Sequence, residues 1–167
     1  LGVVLGIKGD LKNSEYMVRK SLEIDKKLGN LEGMAANYGN LGNIFKVRGN
    51  WTEAEEMFKK SLAIEENLGH LEGMANQYGS LGIVLGHRGK LSESEEMFKK
   101  SLKINEKLGR IEEMASDYAN LGNLSSLNEN LTDAEEMYKK SLELEKKIGR
   151  LYGIAGQYGN LGTILES

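Results

Sequence analysis

The chain has 167 residues, and its 25 acidic and 22 basic side chains give a formal net charge of -3 and a pI near 5.6; with no basic excess to offset phosphate repulsion, composition argues against a dedicated nucleic-acid binder. No apolar run approaches the roughly 20 residues of a membrane-spanning helix and no signal-peptide pattern opens the chain, so no membrane partner is expected and a cytoplasmic setting is favoured. Cysteine is absent, which excludes disulfides and leaves the redox compartment open.

Self-similarity decides the architecture before local propensity does. Leu1-Gly2 recurs as Leu41-Gly42, Leu81-Gly82, Leu121-Gly122 and Leu161-Gly162, and Tyr38, Tyr78, Tyr118 and Tyr158 keep the same spacing of 40 residues. Residues 41–80 and 81–120 are identical in more than half of their columns. The chain is read as one array, 1–167, with periods 1–40, 41–80, 81–120 and 121–160 and a partial repeat 161–167. Four periods exceed the roughly three needed for a repeat stack to bury its core. Both ends fall inside the same helix of the period, so a segment of a longer array is expected.

In chain order, a partial helix is expected at 1–8. The next covers 12–28, with Lys12 where later repeats carry a cap. Met34, Tyr38, Leu41 and Phe45 fall at steps of four, three and four, one face of a helix over 31–48. Gly49-Asn50 breaks it. Thr52 with Glu55 has capping-box spacing, repeated by Ser92 with Glu95 and Thr132 with Glu135, and opens helices over 52–68, 92–108 and 132–148. In the first of these Ala54, Met57, Phe58, Ser61, Leu62 and Leu68 form the apolar stripe, and Gly69 supplies a left-handed terminator. Partner helices are expected at 71–88, 111–128 and 151–165. The odd turn is the fourth: Glu129 stands where Gly9, Gly49 and Gly89 stand elsewhere, and Ser125 replaces Leu5, Phe45 and Leu85. A soft joint is expected there.

The run Tyr38, Leu41-Gly42, Phe45, Gly49, Trp51, Ala54, Phe58 and Ser61 resembles the tetratricopeptide repeat signature, and its columns recur along the whole chain. The usual period of that family is 34 residues with a proline after the second helix, whereas this chain has a 40-residue period and no proline. It is similar to the long-repeat subclass found in polarity and G-protein-regulator scaffolds and some bacterial regulators. The resemblance implies an all-α fold, a right-handed superhelical solenoid of antiparallel helix pairs, whose first helices line a concave surface that binds peptides. It also implies an asparagine ladder gripping an extended or partly helical peptide. The lysine and arginine clamp that other members use for a C-terminal carboxylate is missing from these columns.

Which residues face that surface follows from phase. With Leu41 at the centre of the packed face, Asn40 and Asn43 point roughly opposite it, alongside Ala36 and Val47. Their equivalents are Ser80 and Ile83, Asn120 and Asn123, and Asn160 and Thr163, with His87 late in its helix and within reach. An asparagine amide both donates and accepts, so it can pair with an extended peptide backbone without demanding one side chain. The competing reading makes these residues plain surface or inter-repeat hydrogen-bonding groups. Gly39, Gly79 and Gly159 beside them each cost about 1 kcal/mol relative to alanine in a helix. Close packing between adjacent first helices is the favoured reason, and close approach of a ligand the other.

The expected partner is a protein or peptide. Alternatives are a structural or self-assembling module, or a regulatory segment of a larger protein. Head-to-tail self-association is expected because residues 161–167 have the phase of residues 1–7, so the two ends are complementary. The repeated pairs Glu55 with Lys59 and Glu56 with Lys60 read as a solvated convex face. His70 and His87 lack repeated ligand partners, so no metal and no cofactor is expected. No nucleophile, base and orienting group converge, so no enzyme is expected within these residues.

Overall fold

In the computed structural model, which describes residues 10–166, the regular elements among those residues are helices: α1 (Leu11–Leu28), α2 (Leu31–Val47), α3 (Trp51–Leu68), α4 (Leu71–His87), α5 (Leu91–Leu108), α6 (Ile111–Leu127), α7 (Leu131–Ile148) and α8 (Leu151–Leu165). They pack in sequence order, with α2 against α3, α4 against α5 and α6 against α7 as the tightest pairs. This is the expected all-helical solenoid of helix pairs. The expected helix at 1–8, and with it Leu5, Gly9 and the N-terminal half of the end-to-end complementarity, lies outside the described residues.

The second helices begin one residue earlier than their capping-box spacing predicts, and for a different reason. Thr52 sits inside the first turn of α3, and the residues outside the helices are Asp10, Asn50, Lys90 and Asn130. Asp10 caps α1 by accepting from the Asn13 N–H at 3.1 Å, so the cap assigned to Lys12 belongs two residues upstream. Asn130 caps α7 in the same way at 3.3 Å. The preceding turn sets the boundary: the Asn50 N–H returns to the Phe45 carbonyl at 2.9 Å, and Ala54 N–H already reaches Asn50. Glu55 is thereby released from capping and does something else. Gly69 ends α3 with φ 68° as expected, its N–H turned back to the Glu65 and Glu66 carbonyls.

Packing within a repeat is a ring seated on a missing side chain. Phe58, Phe98 and Tyr138 lie over Gly42, Gly82 and Gly122, where a methyl group would stand 2.6, 2.7 and 2.7 Å from the nearest ring carbon. Ala54, Met57, Phe58 and Ser61 are buried as the stripe predicts, while Leu62 and Leu68 are only half-buried. Ser61 and Ser141 add buried bonds by donating to the Ala35 and Ala115 carbonyls at 2.8 and 2.7 Å.

Between repeats, ionic clips fix the register. Arg48 pairs with Glu15 at 2.5 Å and donates to the Leu11 carbonyl at 2.8 Å, and Arg88 repeats the pairing with Glu55. Glu55 is only 6% exposed. Burial pushes its carboxyl up, but Lys59 and Arg88 outweigh that and hold it below the usual range. The second helices thus carry the expected i to i+4 pairs, from Glu56–Lys60 to Glu136–Lys140, each at 2.6 Å. The face is less solvated than the sequence suggests, because Lys60, Lys100 and Lys140 also lie over the rings of Tyr38, Tyr78 and Tyr118 at 5.6–5.8 Å.

The fourth repeat breaks these devices together. Asn128 replaces the clip arginine, Ser125 is half-buried where Phe45 and Leu85 are buried, and Glu129 holds φ 60°, the one left-handed non-glycine among the described residues.

Candidate functional site

First helices approach one another directly where α4 faces α6, while no two second helices come as close. In a curved stack the inner helices crowd and the outer ones splay, so α2, α4, α6 and α8 form the inner face. Two adjoining clefts open on it between α4 and α6. One, of about 210 Å³, is walled by Ile83, His87, Phe98, Leu124 and Leu127 with Asn120 and Asn123 at its edge. The other, of about 190 Å³, is lined mainly by residues of polar type, Asn76, Ser80, Ser101, Asn105, Glu113 and Asp117, beside Ala75 and Gly79, and it shares Ile83 and Asn120 with the first.

Four of the eight residues expected at the groove, Ser80, His87, Asn120 and Asn123, therefore meet around these two clefts. Asn160 and Thr163 lie apart, on a third depression with Ser126, Tyr138 and Ile164. Asn40 is half-buried and Asn43 exposed on α2. Their availability differs. Asn123 accepts from the Tyr138 hydroxyl at 2.8 Å, Asn160 donates to Gln157 at 3.2 Å, and Thr163 donates to the Gly159 carbonyl at 2.9 Å. The His87 ring stacks on Trp51, with centroids 4.1 Å apart and planes 5° from parallel. Among the described residues no side-chain hydrogen bond engages Asn40, Asn43, Ser80 or Asn120.

The glycines beside this column do not serve close helix packing, contrary to expectation. A methyl group on Gly39 would stand 3.4 Å from Gln77, one on Gly79 would stand 3.5 Å from Ser101, and one on Gly159 would meet nothing within 4 Å. Close approach belongs to the next column along, Gly42, Gly82 and Gly122. The space over Gly39 and Gly79 is instead left to polar side chains and to the groove.

Beneath the groove runs a buried polar column that the sequence reading missed: Asn37, Asp117 and Gln157 are 7%, 4% and 7% exposed, with Gln77 half-buried between them. The residues twelve positions earlier, on the preceding second helix, complete an acid and amide couple in every copy. Hydrogen bonds join the couple at 25 with 37 and at 105 with 117, while the Gln77 Oε1 is buried without a partner among the described residues. Asn37 donates to Asp25 at 2.7 Å, and the pairs at 65 with 77 and 145 with 157 are Glu with Gln. At 105 with 117 the order is reversed, and Asn105 donates to Asp117 at 2.8 Å. The signal was available as a polar residue recurring between buried Ala35 and Tyr38 and their copies. Burial pushes the Asp117 carboxyl up to about 6, and Glu113 adds to it; the hydrogen bonds from Asn105 and Ser101 and the charge of Arg110 pull the other way.

The acids on the second helices have a separate task. Asp25, Glu65 and Glu145 fill the space over Gly33, Gly73 and Gly153 in the first turns of α2, α4 and α8, where a carboxylate suits the helix N-terminus. Where Asn105 stands instead, Glu113 replaces the glycine and bonds Arg110 at 2.6 Å. Arg150 likewise pairs with Glu145 and with Glu112 of the previous first helix, and Arg110 reaches Glu72 at 3.7 Å. His70 occupies the same place, 3.3 Å from Glu65 and 3.9 Å from Glu32. Among the described residues no cluster of His, Asp and Glu is placed to hold a metal, and no helix is long and apolar enough to cross a membrane.

Comparison with known proteins agrees with the fold. A family model described as tetratricopeptide repeat matches residues 1–67, 33–107 and 73–147. The fold is similar to that of BtubC (BKLC) from P. vanneervenii, with a TM-score of 0.91 at 20% identity over 99% of this chain and 69% of that one. It is also similar to the nearly identical TPR-like repeats of a Podosopora anserina chain assigned as a kinesin light chain. Its Q17M form gives 0.82 at 16% identity, covering 99% and 82%, and a second structure gives 0.76 at 17%, covering 99% and 85%. Among curated protein sequences none matches it significantly.

Proposed function

The chain belongs to the tetratricopeptide repeat family, and from that premise we propose that it is a protein-interaction scaffold whose inner face binds an extended or partly helical peptide. One observation carries the reading. Two adjoining clefts, one apolar and one lined mainly by residues of polar type, meet at Asn120, whose amide has no intramolecular side-chain partner among the described residues. An amide in that position can hold a peptide backbone while Ile83 and Leu127 receive an apolar side chain. Asn40, Asn43, Ser80, Asn123, Asn160 and Thr163 extend the same face along α2, α4, α6 and α8. His87 borders the apolar cleft and is braced by Trp51. No catalytic role is assigned to any of them.

Selection of a random-sequence peptide display library on the immobilised chain, followed by calorimetry of the selected peptides, tests the reading. Asn120→Ala should weaken binding by about 0.5–1.5 kcal/mol, the net worth of a hydrogen bond, and the Asn120→Ala, Asn123→Ala double variant by more. Peptides that bind both variants as tightly as the parent would refute the ladder.

A further inference from the structure

We propose that the cleft over Gly79, between α4 and α6, is a subsite for one cationic side chain of the bound peptide, a lysine or an arginine, held by the carboxylate of Asp117; this rests on the peptide-groove reading above.

The pair at 105 and 117 is reversed relative to its copies. At the other interfaces the acid stands on the second helix, over the first turn of the next helix, and the amide faces inward. At Asn105 and Asp117 the acid stands on the first helix, so the negative charge is moved to the floor of the groove. The serine one turn before the partner differs in its bonding between copies, and Ser21 accepts from Asn37 at 3.0 Å. Ser61 and Ser141 spend their hydroxyls on backbone carbonyls, whereas Ser101 turns to donate to Asp117 at 2.9 Å.

Only half of the carboxylate is satisfied. Both Ser101 and Asn105 donate to Oδ2, and Oδ1 accepts no hydrogen bond among the described residues. Oδ1 lies on the cleft side, 3.9 Å from where a methyl group on Gly79 would stand. Asp117 is 4% exposed, and its bare Oδ1 still opens to the cleft; burial of the rest of the carboxylate carries a desolvation cost that an amide would avoid. Asn37 and Gln157 show that this column accepts an amide. The acid is therefore poorly explained by folding alone, and a cation arriving with a ligand would compensate it.

The charges around it leave that role open. On its own helix Glu113 faces it and repels. Arg110 faces it too, but its guanidinium is committed to Asn76, Asn105 and Glu113 and reaches on to Glu72. The groups presented by α5, Ser101 and Asn105, and by α4, Asn76, Gly79 and Ser80, are uncharged. A cleft of about 190 Å³ admits an extended alkyl chain and its ammonium or guanidinium head, since a liquid water takes about 30 Å³.

The test uses the full chain and a defined probe. Butylguanidinium chloride is titrated into 15N-labelled protein at pH 7.5, with sodium chloride as the ionic-strength control, and the same protein is used to select peptides from a display library. The expected result is a saturable shift at the amides of Gly79, Ser80 and Asn120, weakened about tenfold or more in Asp117→Asn and as pH falls through about 6. Selected peptides should share a lysine or arginine at one position and lose affinity for Asp117→Asn. Gly79→Ala, which fills the floor and keeps the acid, should weaken both probes and guards against a folding defect in Asp117→Asn. Peptides that bind the groove without a basic preference, and equally to Asp117→Asn, overturn the subsite and leave the groove reading standing. Asp117-dependent butylguanidinium binding with no peptide selected keeps the cation site and overturns the groove. No saturable shift and no peptide overturn both.

Discussion

Gly79 and Gly82 lie three residues apart on α4, and the same substitution at each should move stability in opposite directions. At Gly82 an added methyl group stands 2.7–2.8 Å from three carbons of the Phe98 ring, which is 3% exposed and has nowhere to go. Overpacking of that kind costs about 1–3 kcal/mol. It outweighs the roughly 1 kcal/mol by which alanine improves on glycine in a helix, so Gly82→Ala should be destabilising by up to about 2 kcal/mol. At Gly79 the methyl meets Ser101 Oγ at 3.5 Å and Asp117 Oδ1 at 3.9 Å, ordinary contact distances. Only the propensity gain remains, and Gly79→Ala should raise stability by about 1 kcal/mol, or 2–4 °C in melting midpoint for a chain of this size. Melting followed by helical circular dichroism reads both. A Gly79→Ala variant that melts below the parent would show that this column is held small by packing after all. The room attributed to the groove would then not exist. If the variant is stabilised but loses peptide, the glycine is retained at a cost in stability, the usual mark of a binding surface.

Three further outcomes follow from the same contacts. Glu129→Gly should stabilise by about 0.5–1 kcal/mol, since relief of a left-handed side chain is worth roughly 1–2 kcal/mol and glycine returns about 0.5–1 kcal/mol through the unfolded chain; hydrogen exchange at residues 124–131 should be among the faster regions, and slowest exchange there would contradict the soft joint. Asp117→Asn should remove one component of the pH dependence. The carboxyl binds its proton more tightly folded, at about 6, than unfolded, near 3.9. Its contribution is therefore full below about pH 4 and lost as pH rises through 6, and the parent minus the variant should fall by about 3 kcal/mol across that window in urea titrations. A flat difference would refute the burial argument. Arg88→Ala should cost about 1–3 kcal/mol in the same assay, because it leaves the buried Glu55 with Lys59 alone; a loss below 0.5 kcal/mol, the lower bound for one hydrogen bond, would show that the clip is idle.

The period, the helix pairs and the left-handed turns were legible because each is repeated: Gly69 has φ 68° and its copies agree to within a few degrees. The capping boxes misled because Thr52 and Glu55 have the right spacing in the wrong place. The turn at Gly49-Asn50 closes through its backbone, and Glu55 is drawn away to Arg88. While His87 was legible only from its place late in a first helix, phase alone put Ser80, Asn120 and Asn123 opposite the packed face, since α-helical geometry fixes direction. It could not show that Tyr138 occupies Asn123 or that Trp51 braces His87, which depend on contacts across helices. Nor could it price the glycines: Gly79 and Gly82 look alike in sequence, and only the distance to the neighbouring helix separates them. The acid and amide exchange between 105 and 117 was visible as letters, but its meaning required knowing that the two positions touch.

In the proposed function a partner sits on the inner face between α4 and α6. Backbone amide NMR of the full chain, with and without a peptide from the display selection, tests it directly. Perturbations should be concentrated at Ser80, Ile83, Asn120, Asn123 and Leu127, fading toward the lysine-bearing faces of α3, α5 and α7. Perturbations confined to those second helices, or to the exposed face of α8 around Leu151 and Tyr152, would contradict it.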